Sequence, residues 1–234
     1  MTDDRRRTTD KPPAEPPSIR PPSSALRRPI TGRLVIATHN PGKLAEMRDL
    51  LSRYGVEAVS AGELGLSEPD ETGTSFQDNA RIKADAAAKA ANLPAFADDS
   101  GLVVDALNGQ PGIHSARWAG ETKDFLGAMT RIERLMQERG ATTPQQRAAH
   151  FVSALCVTWP DGHREEAEAR VDGQMVWPPR GDAGFGYDPV FLPNGHERTF
   201  GEMTADEKHG LPPQGRGLSH RARAFLKLAE MCLT

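Results

Sequence analysis

Arg33-Leu34-Val35-Ile36-Ala37-Thr38-His39-Asn40-Pro41-Gly42-Lys43 is the stretch from which the fold is read. Leu34 to Ala37 is an unbroken apolar run, the pattern of a short strand buried on both faces. Asn40 suits a helix cap and Pro41 the first helical position. Leu44, Met47, Leu50, Leu51 and Tyr54 then recur at helical spacing until Gly55. Residues 34 to 54 are therefore predicted as strand, tight loop and helix.

Towards the C-terminus, an alanine-rich helix is predicted from about Phe76 to Asn92. Pro94 to Ala97 leads into Asp98-Asp99-Ser100-Gly101, and Leu102 to Val104 has the look of another short buried segment. Residues 110 to 121 read as a loop, and 124 to 138 as an amphipathic helix. Phe151 to Trp159 and His163 to Val171 flank the turn signal Pro160-Asp161-Gly162 as two strands. A glycine-punctuated loop spans 181 to 188, a short strand 190 to 192, and Ser219 caps a last helix ending near Cys232. Alternating elements followed by a hairpin predict an α/β protein with a mixed β-sheet flanked by helices, a second lobe, and a ligand crevice between lobes.

Towards the N-terminus, the first 29 residues are rich in proline and arginine and offer few apolar anchors. They are expected to form a disordered tail, with one domain over 30 to 234. The tail lacks the apolar region of a secretory signal, and Asp3, Asp4, Asp10 and Glu15 argue against an organelle signal, so a cytoplasmic protein is expected. No apolar stretch approaches membrane-spanning length, so no membrane partner is expected. The formal net charge of -3 gives no global case for a nucleic-acid partner. The two cysteines, Cys156 and Cys232, form no paired motif, which argues against a disulfide framework and a cysteine zinc site.

Four segments carry candidate chemistry. In Thr38 to Lys43 a buried strand turns into a helix whose N-terminus favours an anion; a lysine there opposes the dipole, which a bound phosphate would explain. It is not the longer glycine loop of a P-loop. In Asp98-Asp99-Ser100-Gly101, adjacent carboxylates repel unless a cation is shared. Magnesium suits such a pair, with Asp70-Glu71-Thr72-Gly73 able to supply another acid. A solvated polar turn is the competing reading. In Gly184-Phe185-Gly186-Tyr187-Asp188-Pro189 the glycines let the backbone approach a ligand and Phe185 can stack on a planar base, although core packing is the commoner use of such aromatics. Lys208 and Ser219-His220-Arg221 add basic groups, the last two in the first turn of the final helix, where a solvated basic start is the plainer alternative. His114 and Arg117 form a possible rim. His39, His150, His163, His196 and His209 show no metal-ligand spacing, and Trp159 and Trp177 are expected in the core or at an interface.

Together these segments are far more specific than any alone. The chain resembles the inosine triphosphate pyrophosphatase-like family, the noncanonical purine nucleoside triphosphate pyrophosphatases of the dITP/XTP type. The resemblance is carried in order by residues 37–43, 71–76, 97–102, 111–117, 184–189 and 219–221, and it spans about residues 33 to 230. It implies a two-lobed α/β fold around a long mixed sheet, a homodimer, and Mg2+-dependent hydrolysis of ITP, dITP and XTP to monophosphate and pyrophosphate, cleansing the nucleotide pool of deaminated purines. It implies Asp99 as general base and metal ligand, with Glu71 as a second metal contact. It further implies substrate contacts from Thr38, His39, Asn40, Pro41, Gly42, Lys43, Ser100, Phe185, Gly186, Tyr187, Asp188, Lys208, His220 and Arg221. Two departures stand out: His39 replaces the glycine of many relatives, and residues 209–218 form a longer connection, able to move Lys208 relative to His220. The expected mechanism has magnesium on the triphosphate and on one or more of Asp98, Asp99 and Glu71, with Asp99 activating a water that attacks the α-phosphorus. A hydrolase of pyrimidine triphosphates and a nucleotide-binding regulator without turnover are the rival readings.

Overall fold

The structure, a computed structural model, describes residues 28–213 and 215–233. Most of the expected tail therefore lies outside the described residues. Contacts with the rest of the chain are present already at Arg28, earlier than the periodicity suggests: Arg28 pairs with Asp161 and lies over the Trp159 ring, and the buried Ile30 donates its N–H to the Cys232 carbonyl at 2.7 Å.

The elements run β1 (Arg33–Ile36), α1 (Pro41–Leu51), β2 (Glu57–Ser60), α2 (Phe76–Ala91), β3 (Ala95–Val104), α3 (Ser115–Trp118), α4 (Phe125–Glu138), β4 (Ala148–Thr158), β5 (Arg164–Met175), β6 (Phe191–Pro193), α5 (Ala205–His209) and α6 (His220–Cys232). The six strands form one sheet in the order β2-β1-β3-β4-β5-β6. β1 is parallel to β2 and β3, and from β3 to β6 each strand is antiparallel to the next, so the sheet is mixed as expected.

The apolar pattern fixes the layers. On one face, Leu34, Ile36, Met47, Leu50, Phe96, Leu155, Phe225 and Leu228 join α1 and α6 to the sheet. On the other, Val35, Ala95, Ala97, Ala154 and Cys156 take the alanine face of α2: Ala80, Ala84, Ala87 and Ala88. Small side chains let that helix lie close to the strands. A third cluster of Leu102, Val104, Ile132, Met136, Phe151, Phe191 and Phe200 builds the second lobe around α4. Each fully buried Leu or Phe among these contributes about 1.5–3 kcal/mol.

β3 is the hinge point of the layout. The sequence reading broke it at Asp98 to Gly101, but the strand runs unbroken through those residues because β4 pairs with all of it, Asp98 opposite Leu155 and Asp99 opposite Ala154. The long antiparallel register supplies the backbone partners that the polar side chains do not forbid. β1 pairs with β3 only at Ala95 and Phe96, and Pro111 bridges at Val103, so the strand edge between them faces a gap where the lobes meet.

Candidate active site

Alternation along β3 decides where the acids point. Asp98 shares its face with Phe96 and meets α1 and α6; Asp99 shares the opposite face with Ala97 and meets α2. The sequence argument that two adjacent carboxylates share one cation is thereby corrected: each has its own. Lys43 Nζ lies 2.9 Å from Asp98 Oδ2, and Lys83 Nζ lies 2.8 Å from Asp99 Oδ1.

Asp98 is buried behind the cleft wall and also accepts from Ser153 Oγ at 2.6 Å, Ser100 Oγ at 3.0 Å and Arg221 Nη2 at 3.3 Å. Burial works to raise its pKa, but Arg221 and Lys43 outweigh it and hold the carboxyl well below the usual range. Both Asp98 oxygens are thus occupied by Lys43, Arg221 and the two hydroxyls. In this arrangement the Lys43 ammonium pairs with Asp98 while lining the cleft.

Asp99 differs. Burial raises its pKa, Glu71 adds to the rise, and Lys83 and Lys43 oppose it, leaving the carboxyl above its ordinary value. Lys83 also reaches Glu71 Oε1 at 2.9 Å, so one buried ammonium bridges two carboxylates, and these hold its pKa up against burial. Sequence reading missed Lys83. Its signal was present: on α2, Asn79 and Lys83 stand four residues apart on the face otherwise given to alanine.

A cleft open to solvent gathers most of the expected site residues. Thr38, Asn40 and Lys43 line it from the β1–α1 turn, Asp99 and Ser100 from β3, and Glu71 from the loop before α2. Phe185, Gly186, Tyr187 and Asp188 line the opposite side, with Lys208, His220 and Arg221. His39, Pro41 and Gly42 do not line it. His39 turns away to the Leu66 carbonyl at 3.1 Å, and Pro41 is exposed at the first helical turn. Gly42 packs under Phe185, whose ring stands 2.9 Å from where a Cβ would be. The helix start is also less open than expected: Asn40 Oδ1 already accepts from the Gly42 and Lys43 N–H groups at 2.9 and 3.2 Å.

The aromatic loop divides its labour. Tyr187 is buried, donates to the Ser115 carbonyl at 2.8 Å and meets Phe125 edge-on, so it holds the loop in place. Phe185 is left at the cleft. Asp188 accepts from Lys208 Nζ at 2.8 Å, and Gly184, at φ +82°, makes room because a Cβ there would fall 2.1 Å from that carboxylate. Burial raises the Asp188 pKa, with Lys208 opposing.

The longer 209–218 connection leaves and returns at one point. Its neck is closed by Ser219 N–H to the Lys208 carbonyl and Gly217 N–H to the Gly210 carbonyl, both at 2.8 Å, and Leu211 is buried in the core. Ser219 caps α6 by accepting from Ala222 N–H at 3.1 Å. That sets His220 flat against Phe151, with ring centroids 4.8 Å apart, and Arg221 with its guanidinium 5.8 Å over the Phe185 ring. Burial and Arg221 push the His220 pKa well below its usual value, so the ring is neutral at pH 7. Arg221 bonds Ser100 Oγ at 2.9 Å and pairs with Glu46 of α1, a cleft residue that the sequence reading passed over. Of the possible rim, Arg117 lines the cleft and donates to Glu71, whereas His114 does not line it.

Five cations and five carboxylates line the cleft, Lys43, Lys83, Arg117, Lys208 and Arg221 against Glu46, Glu68, Glu71, Asp99 and Asp188. A polyphosphate therefore meets a balanced wall. Both cysteine thiols are buried and pushed up to about 12 by that burial, which leaves them inert. Among the described residues no helix is long and apolar enough to cross a membrane.

Comparison with known proteins agrees with this layout. The sequence model of the Ham1 family matches residues 34–231. A dITP/XTP pyrophosphatase of Rhodopseudomonas palustris is 79% identical over 208 residues, covering 89% of this chain and 99% of the relative. That of Brucella melitensis is 58% identical, covering 86% and 94%. Among solved structures, a HAM1 protein from Coxiella burnetii superposes with a TM-score of 0.75 at 33% identity, covering 86% of this chain and 98% of the other. A dITP/XTP pyrophosphatase from Mycobacterium abscessus gives 0.66 at 40%, covering 85% and 100%. With the motifs in order, the sheet in the same architecture and matches of this extent, the chain belongs to the Ham1 family.

Proposed function

We propose that this enzyme hydrolyses ITP, dITP and XTP to the nucleoside monophosphate and pyrophosphate. The observation that carries the reading is the set of chemistries that one cleft brings together: Lys43, a carboxylate of raised pKa beside Lys83 and Glu71, and the group of Phe185, His220 and Arg221. A triphosphate, a reacting phosphorus and a base need these three kinds of group. The activity named for relatives 79% and 58% identical supports it.

In this reading Lys43 and Thr38 receive the phosphates. Asp99 takes the proton of the attacking water, a role that a carboxyl held above its ordinary value serves better than an ordinary one. Phe185 stacks on the purine. His220, with its neutral ring, and Arg221 line the cleft beside Phe185 and would face a 6-oxo base, and donors there would be left unpaired by adenine.

Among the described residues no three His, Cys, Asp or Glu side chains converge on a point. Asp99 and Glu71 on one wall nevertheless fit magnesium, which takes one or two carboxylates and completes its shell with water and phosphate oxygens. When bound there it would offset triphosphate charge that the balanced wall leaves uncompensated. The homodimer of the resemblance and a cytoplasmic setting are part of the same proposal.

The test incubates the purified protein, and Asp99→Asn, with ITP, dITP, XTP, ATP, GTP and dUTP, with and without magnesium, and identifies the products. Magnesium-dependent release of pyrophosphate from ITP and XTP is expected, reduced on the order of 10²–10⁴-fold in Asp99→Asn. Orthophosphate release, or near-normal turnover by the variant, would overturn the mechanism. Tight binding without turnover would favour a regulator.

A further inference from the structure

We propose that His209 is a positioning residue that sets the base-recognition pair His220 and Arg221, an inference that rests on the pyrophosphatase reading above. His209 closes α5 and is nearly buried, its side chain 11% exposed. Both ring nitrogens are engaged. Nδ1 lies 2.8 Å from Ser219 Oγ, and Nε2 lies 3.1 Å from Glu46 Oε1. A carboxylate only accepts, so Nε2 carries a hydrogen; in the neutral ring Nδ1 then accepts from the Ser219 hydroxyl.

Each contact leads to α6. Ser219 is the cap of that helix, and Glu46 is the carboxylate that pairs with Arg221 through its other oxygen. One imidazole thus ties α1, α5 and the first turn of α6 at the point where Arg221 lies over Phe185. The connection that follows His209 is long, yet the closed neck and the buried Leu211 keep the ring at this junction. Without the ring, Glu46 Oε1 loses its donor, and of the three partners that hold the guanidinium over the base site only Asp98 and Ser100 stay fixed. Lys43 and Asp99, at the phosphate end of the cleft, take their ion-pair partners from Asp98 and Lys83.

The chemistry of the variants separates the two bonds. In His209→Gln the amide nitrogen reaches the place of Nε2 and can donate to Glu46. His209→Asn puts its amide at the place of Nδ1 and keeps only Ser219. Steady-state kinetics with ITP should show KM raised by about tenfold in His209→Ala with kcat within about twofold, the size of one lost charge-assisted hydrogen bond. His209→Gln should return KM to within about threefold of wild type. Should His209→Ala not fold, His209→Asn provides the same comparison. An unchanged KM, a fall in kcat alone, or a folded His209→Gln that restores nothing would overturn the proposal and leave a purely structural histidine. If the wild type turns over no nucleotide, the pyrophosphatase reading fails by itself. The His209 inference is then decided by calorimetric titration of ITP into the same proteins: a matching loss of affinity supports it and equal affinity overturns it.

Discussion

Glu46 shows how much of this site depends on side chains that do no chemistry. Burial works against its ionisation, but Arg221 and His209 bring its pKa down from 4.5 to about 2. A depressed carboxyl contributes stability that is complete above its unfolded pKa and is lost as the pH falls through the folded one. Glu46→Gln removes that contribution, so urea midpoints of wild type and variant should differ most above pH 4.5 and converge as the pH falls towards 2. A gap independent of pH would mean that the Glu46 carboxylate gains nothing from its partners. Such residues were hard to read in the sequence. Glu46 sits in α1 among Leu44 and Met47 with no motif around it, and His209 looked like one more unassigned histidine. Asp99, Lys43, Phe185 and Arg221 were legible because each lies beside a glycine, a cap or a second acid that marks a special backbone. Roles carried by contacts across more than a hundred residues, such as Arg221 on Asp98, leave no local mark.

Elements were legible where periodicity and caps coincide. α2 was expected from Phe76 to Asn92 and runs Phe76–Ala91, because Ser75 caps it and the alanine run has no competing period. The helix after Ser219 ends at Cys232 as read. β2 and α5 were not anticipated: four residues, Glu57–Ser60, and five, Ala205–His209, are too short to show a period. The unbroken course of β3 through two acids was missed because pairing with β4, which no local pattern reveals, overrides strand propensity. That override also makes α2 more than a packing element. It presents Lys83 to Asp99 and Glu71, both of which hold the ammonium charged inside the structure. Lys83→Ala should leave the buried Asp99 carboxylate without its cation, facing the half-buried Glu71, and cost about 3–5 kcal/mol in chemical denaturation, far above the effect of an alanine on an exposed helix face. A loss below about 1 kcal/mol would show that water replaces the ammonium without penalty, as at surface pairs.

At the scale of the whole molecule the question is how a protein of net charge -3 captures a polyanion. Long-range attraction is not the answer, since the total charge repels the ligand and the cleft wall is balanced cation for carboxylate. Capture must come from contacts made after entry, by side chains that the two lobes already shield: the side chains of Lys208 and Arg221 are 3% and 2% exposed, and that of Lys43 is 15% exposed. Salt screens exposed charges over a Debye length that shrinks from about 10 Å at 0.1 M to about 3 Å at 1 M, but it acts weakly on buried ones. With magnesium kept saturating, kcat/KM for ITP should therefore fall by less than about threefold across that range of monovalent salt. A fall of about thirtyfold or more would assign capture to exposed charges, first of all Arg117, whose side chain is 51% exposed at the mouth of the cleft. The geometry favours the weak dependence. β3, β4 and β5 run uninterrupted from the first lobe into the second and hold the acids and their cations at fixed spacing, so the charges that meet the triphosphate are arranged before it arrives.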